Sequence, residues 1–280
     1  MHIVTGMHRS GTSFLAQLLH YLGADFGDLD HLFPADKWNQ KGYFENIDII
    51  DANNRMILGP KAKIDFWLRE NETRFSRIKN GILSRKWKYF YFPSLEGINC
   101  RAKNWEAVID DLHVEYQNKF VKDPRFCLTL NAWRQRGPIE RLIFSYRHPS
   151  LVAGSVARRE GLPLVFGYRY WLYHVRNFFR QLHDGEKLFL VDFDLFFDTQ
   201  TQERAFIDVA EWLTGEPIGM DQMKRLQNVL DIRLRSQAKI DAPPKVVGDV
   251  YEALKILSSK ENGNLSVNLR SDLIKTIICK

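Results

Sequence analysis

The sequence predicts an α/β fold, a parallel β-sheet covered by helices on both faces. Three observations point to it. The chain opens as strand, glycine-bearing turn and helix; short β-prone runs then alternate with helical patterns; and one aromatic, basic segment interrupts the alternation. The first strand is His2-Ile3-Val4-Thr5, and Phe14, Leu15, Leu18, Leu19 and Leu22 follow at helical spacing. Further β-prone runs are Phe120-Val121, Leu142-Ile143-Phe144-Ser145 and Leu188-Phe189-Leu190-Val191, with helical patterns around 150–159 and 201–213 after the last two. Strands joined through helices run parallel, and such sheets are buried on both faces. Residues 60–118, rich in Trp, Phe, Tyr, Lys and Arg, are predicted to be a mostly helical insertion beside the sheet. Ala242-Pro243-Pro244 ends the main body, leaving 242–280 as a C-terminal helical extension, an amphipathic helix with a polar tail. The whole chain, 1–280, is expected to be a single domain.

Composition narrows the class less than the motifs do. With 280 residues, 45% hydrophobic and 26% charged, the chain is long for one domain and short for two. It contains no run of roughly 20 apolar residues, and a structural pattern begins at once, so the expectation is a soluble, cytoplasmic protein without a membrane span. Cys100, Cys127 and Cys279 are an odd number without metal-ligand spacing, which indicates neither a disulfide framework nor a zinc site. A net charge of +6 suits anionic ligands. Basic residues are interleaved with acids and no recognition motif occurs, which argues against nucleic acid.

Gly6-Met7-His8-Arg9-Ser10-Gly11-Thr12-Ser13 matches the phosphate loop GxxxxGK(S/T) in its glycines and final hydroxyl, but has Thr12 where lysine belongs. Backbone amides of such a loop meet a phosphate at the N-terminus of the next helix, where unpaired N–H groups and the helix dipole favour an anion. The missing lysine is the group that reaches the outer phosphates of a triphosphate. Arg9 is the only cation left in the turn, so the loop suits a 5'-phosphate bearing one further anionic group. This loop makes the expected sheet a P-loop-type one.

After the strand ending at Ser145 comes Tyr146-Arg147-His148-Pro149, then Ser155. Pro149 suits the first turn of a helix and keeps His148 extended, which puts Arg147 at the C-terminal edge of the sheet, where open α/β folds bind ligands. Arg147 offers a forked donor to a phosphate and Ser155 a hydroxyl. An arginine at a strand end is equally able to serve a structural salt bridge.

Together these motifs resemble the sulfotransferase family that uses 3'-phosphoadenosine 5'-phosphosulfate (PAPS), in its bacterial and carbohydrate-modifying branch. The resemblance implies that Met7, His8, Arg9, Ser10, Gly11, Thr12 and Ser13 hold the 5'-phosphosulfate and that Arg147 and Ser155 hold the 3'-phosphate. Gly42-Tyr43-Phe44-Glu45, Lys122-Asp123-Pro124-Arg125 and Val191-Asp192-Phe193-Asp194-Leu195 also resemble that branch. Lys122 persists from the strand-end KTH of the cytosolic branch, but Pro124 replaces its catalytic histidine. The expected reaction is in-line transfer of a sulfuryl group to a hydroxyl, with Arg9 and Lys122 stabilising charge and Glu45 as general base, without a metal. Lys122 in a surface ion pair with Asp123, His148 as a rival base or spacer, and Glu45 as a helix-start residue are the competing readings. Residues 61–110 carry 11 Lys and Arg against 6 Asp and Glu, so the insertion is placed on the acceptor side and a glycan or other polyhydroxylated acceptor is expected. The alternatives in function are an ATP-using P-loop small-molecule kinase and a non-catalytic nucleotide-binding module.

Overall fold

A computed structural model describes residues 1–35, 42–59, 91–216, 218–229 and 241–279. It contains a mostly parallel sheet of β1 (His2–Thr5), β2 (Phe120–Lys122), β3 (Arg141–Tyr146), β4 (Lys187–Asp192) and β5 (Asn264–Ser266), in the order β2-β1-β3-β4-β5. The first four strands are parallel and β5 is antiparallel to β4. Val4 lies opposite Lys122, Thr5 opposite Phe144 and Tyr146 opposite Asp192, so the four parallel strands all end at one edge.

The helices are α1 (Thr12–Tyr21), α2 (Ile47–Leu58), α3 (Leu95–Ala102), α4 (Glu106–Glu115), α5 (Phe126–Arg134) and α6 (Pro149–Glu160), then α7 (Leu164–Arg180), α8 (Gln202–Thr214), α9 (Met220–Val229), α10 (Lys245–Ser259) and α11 (Asp272–Cys279). Side chains alternate along each strand. Ile3, Val121, Leu142, Phe144 and Leu190 therefore enter one core, while Val4, Phe120, Ile143, Phe189 and Val191 enter another. Phe14, Leu18, Phe206 and Leu226 of α1, α8 and α9 cover the second face; the remaining helices pack against the first. Both faces are thus buried, which is why the strands read as nearly continuous apolar runs.

Two parts of the architecture depart from the sequence expectation. Helix α7 was not anticipated, although Tyr170, Trp171, His174, Val175, Phe178 and Phe179 recur at helical spacing and are all buried. Its aromatic content resembles a strand, yet fully burying each such ring contributes about 1.5–3 kcal/mol, and only a helix puts all of them on one side. Gly167 lets α7 cross α6 closely, since a Cβ there would lie 2.6 Å from the Cα of Ala153. After α10 the expected polar tail is instead strand β5 and helix α11, whose Ile274 and Ile277 are fully buried. Of the proposed insertion, 60–90 lies outside the described residues. In the part that follows, Ile98, Ala102, Ile109 and Leu112 of α3 and α4 join the larger core.

Candidate functional site

The edge at which the four parallel strands end collects the chemistry. Strand β1 runs into the loop, where Arg9 holds a left-handed backbone at φ 74°, a conformation that costs a non-glycine residue of order 1 kcal/mol and tends to be kept at functional sites. The Ser10 amide donates to Met7 O at 3.1 Å, and Ser10 O accepts from Ser145 Oγ at 2.6 Å, which ties the loop to β3. Gly11, at φ 83°, caps α1 without any side-chain hydrogen bond. A Cβ on Gly11 would fall 2.1 Å from the Phe193 ring, so the position is closed to other residues by both backbone and space. Among the described residues no acceptor takes the amides of Thr12, Ser13 and Phe14, the unpaired donors of a helix start. Met7, Ser10 and Thr12 turn their side chains inward, and the buried Ser10 Oγ has no partner among the described residues. The loop side chains that reach the surface include His8, Arg9 and Ser13. His8 lies over Tyr170, with ring centres 6.2 Å apart.

Arg9 Nε donates to Ser155 Oγ at 2.8 Å, so the two sequence motifs meet. Pro149 does begin α6, and His148 caps it by accepting the Ser150 amide at Nδ1. Among the described residues Arg147 forms no hydrogen bond with Ser155. Its Nε donates to Asp194 Oδ1 at 3.0 Å and its guanidinium lies 5.0 Å above the Phe193 ring. The other oxygen of Asp194 accepts the His148 amide at 2.8 Å, so this carboxylate fixes the strand end and leaves the outer nitrogens of the Arg147 fork without an acceptor among the described residues.

Glu45 is delivered by a turn in which Phe44 adopts φ 55° and packs its ring on Phe26. Asn46, not Glu45, caps α2, accepting the amides of Asp48 and Ile49. Lys122 is buried and donates to Glu45 Oε1 at 2.6 Å, to Tyr43 O at 3.0 Å and to Ser13 Oγ at 3.2 Å. It therefore does not form a surface pair with Asp123. Arg125 lies 3.3 Å from Glu45 Oε2 and 2.8 Å from Asp123 Oδ1, and Asn53 donates to Asp123 Oδ2. Burial pushes the Glu45 carboxyl up, but the charges of Lys122 and Arg125 outweigh it and hold Glu45 below the usual carboxylate range. Burial together with the Glu45 charge raises Asp123 despite Arg125. Two cations and two carboxylates thus form one buried network, of which the sequence singled out Glu45 and Lys122 as site residues. Arg125, Asp123 and Asn53 escaped because their roles depend on the turn after β2. Asp194 escaped because nothing in its spacing marks it as the partner of Arg147.

At the end of β4, burial and the nearby Asp194 charge raise Asp192 to about 7. A carboxyl whose folded pKa exceeds its unfolded value near 4 favours the folded state below that value and loses the contribution as pH rises through the folded pKa. Asp192→Asn should therefore gain stability over the parent by about 1.4 kcal/mol per pH unit between roughly pH 4 and 7, then hold a constant advantage. Urea midpoints of the two proteins across that range check it, and a difference independent of pH would contradict it.

No protein-family model, curated protein or solved structure matches the chain.

Proposed function

We propose that the chain is a PAPS-dependent sulfotransferase that uses the β1–loop–α1 unit as a P-loop and acts on a hydroxyl of a glycan or other polyhydroxylated metabolite in the cytoplasm. The observation that carries this reading is the 2.8 Å contact of Arg9 with Ser155, which joins a phosphate loop to the arginine-and-serine segment at one edge of the sheet. The donor set fits the nucleotide: unpaired amides at the start of α1, the Arg9 guanidinium and the outer fork of Arg147 together suit separate anionic groups. An ATP reading is disfavoured by two features. Thr12, at the loop's lysine position, is buried, and the Ser13 hydroxyl, which would ligate magnesium in a triphosphatase, faces the ammonium of Lys122.

PAPS supplies the sulfuryl group and the leaving phosphate. Arg9 and the helix-start amides hold the negative charge that develops beside them, in a setting already ordered before reaction. Lys122 orients Ser13 and Glu45 through one ammonium. Glu45, kept ionised by its two cations, takes the acceptor's proton at Oε2, the oxygen with the longer of its two ionic contacts.

Thermal shift is the direct test, because a ligand bound only by the folded state raises the melting temperature. The desulfated product 3'-phosphoadenosine 5'-phosphate (PAP) should stabilise the protein, and ATP with magnesium should not. Stabilisation by ATP and magnesium without PAP would overturn the reading. Arg147→Ala should weaken PAP by roughly ten- to a hundredfold, the range for a lost charge-assisted contact, while sparing adenosine 5'-phosphosulfate. Equal losses for both ligands, measured by calorimetry, would make Arg147 a structural partner of Asp194 alone.

A further inference from the structure

Helix α7 has two faces of different character. Tyr170, Trp171, His174 and Phe178 point into the protein, and Tyr170 and His174 back the loop at His8. The opposite face carries Arg169, Tyr173, Arg176 and Arg180, and Phe92 packs edge-on against Tyr173 with ring centres 5.0 Å apart. Between them lies an open cavity of about 250 Å³. Its cationic wall is built from the three arginines, and its apolar wall from Phe92, Leu172 and Tyr173. No carboxylate lines it among the described residues.

The arginines are not alike. Arg169 lies over the Phe92 ring at 5.4 Å, and Arg180 donates to Ile278 O at 3.0 Å. Arg176 Nε and Nη2 are shielded from solvent and have no hydrogen-bond partner among the described residues. Arginine commonly covers apolar surface with its stem while its head stays in water, but these two nitrogens are withdrawn from water as well. Burial, then the neighbouring Arg180 charge, works against the Arg176 cation and lowers its pKa. Three guanidiniums around one cavity, with no carboxylate among its described lining residues, concentrate positive charge there and suit an anionic acceptor supplied from outside.

We propose that this cavity is an oxyanion site, separate from the phosphate loop, that takes a phosphate or sulfate group carried on an apolar or aromatic body. The guanidiniums match the planar, paired acceptors of such a group, and the rings of Phe92 and Tyr173 with Leu172 match the body. The proposal does not depend on the sulfotransferase reading, since no residue of the loop lines the cavity.

The test uses the full chain with Arg9→Ala, which weakens anion binding at the loop. Inorganic phosphate and phenyl phosphate are each titrated in low-chloride buffer and followed by thermal shift. Phenyl phosphate should raise the melting temperature, and Arg176→Met added to the same background should weaken its apparent affinity at least about tenfold. Arg169→Met, an independent variant at the exposed end, should weaken it in the same direction. If phosphate alone binds as tightly as its phenyl ester, the apolar wall recognises nothing and the proposal fails. No stabilisation by either compound, or an affinity unchanged in both arginine variants, would overturn the proposal.

Discussion

Glu45→Gln should lower the turnover number by about 10²- to 10⁴-fold, the usual worth of a positioned general base, with PAP affinity nearly unchanged. The substitution keeps the shape and an acceptor for Lys122, but removes the charge that receives the proton. It also takes one anion from a network in which Lys122 is 2% exposed. Breaking a buried ion pair by removing one partner costs up to about 3–5 kcal/mol, and the retained Gln carbonyl should keep the cost toward the low end. The double variant Glu45→Gln with Lys122→Met separates the two effects: it should recover stability, because no unpaired ammonium is left inside, while turnover stays low. Single-turnover rates at saturating PAPS, read beside urea midpoints, decide the matter. A Gln variant that is folded and retains most of its turnover would assign the proton to another group. One that loses PAP binding would make Glu45 an organiser of the loop through Lys122 and Ser13. Acid should mimic part of this. The folded pKa of Glu45 lies below its ordinary value, so the stability from its ion pairs is present above that value and lost as pH falls through the folded one.

Gly11→Ala should abolish measurable PAP binding. Two costs coincide: a backbone at φ 83°, which disfavours any Cβ by about 1–2 kcal/mol, and a collision 2.1 Å from the Phe193 ring. Phe193 is buried among Phe14, Phe196 and Phe197 and cannot swing away without opening the core behind α1. Phe193→Ala by itself should cost about 3–5 kcal/mol of stability. Combined, the two changes should cost less than their sum, because the alanine at 193 vacates the space that the methyl at 11 needs. Calorimetric PAP affinity and denaturation midpoints for the four proteins give the coupling. Simple additivity would mean that the ring and the loop are energetically independent, and that the loop owes its shape to its own backbone.

The four parallel strands and the loop were legible in the sequence because their signals are local. Ile3 and Val4, or Phe144 and Ser145, sit in short β-prone runs bounded by turns, and a glycine loop between strand and helix is a contiguous string. The proline that starts α6 and the extended His148 before it follow from bond geometry alone. What was not legible depends on distance in the chain. For Lys122 the sequence leaves open a charge-stabilising role and a surface pair with Asp123, and the turn with φ 55° at Phe44 that brings Glu45 to it lies 77 residues away. For Arg147 a salt bridge is open from the sequence, but its partner Asp194 is named only by the end of the next strand. The helix α7 escaped for a different reason: its aromatic side chains carry strand-like propensity, and the period that contradicts it becomes visible only across several turns.

The placement of β1 between β2 and β3 has a consequence for how the chain comes to be folded. His2 pairs with Phe120 on one side and Arg141 on the other, so β1 has no partner in the sheet until more than a hundred further residues have been made. At roughly 5–20 residues per second that interval is on the order of ten seconds. Throughout it the strand's apolar residues and the glycine loop behind them have no sheet to join, and the long loop between partners slows closure further. The loop after β1, tied to Ser145 and closed in by Phe193, can therefore take its final shape only once both have been made, well after its own residues.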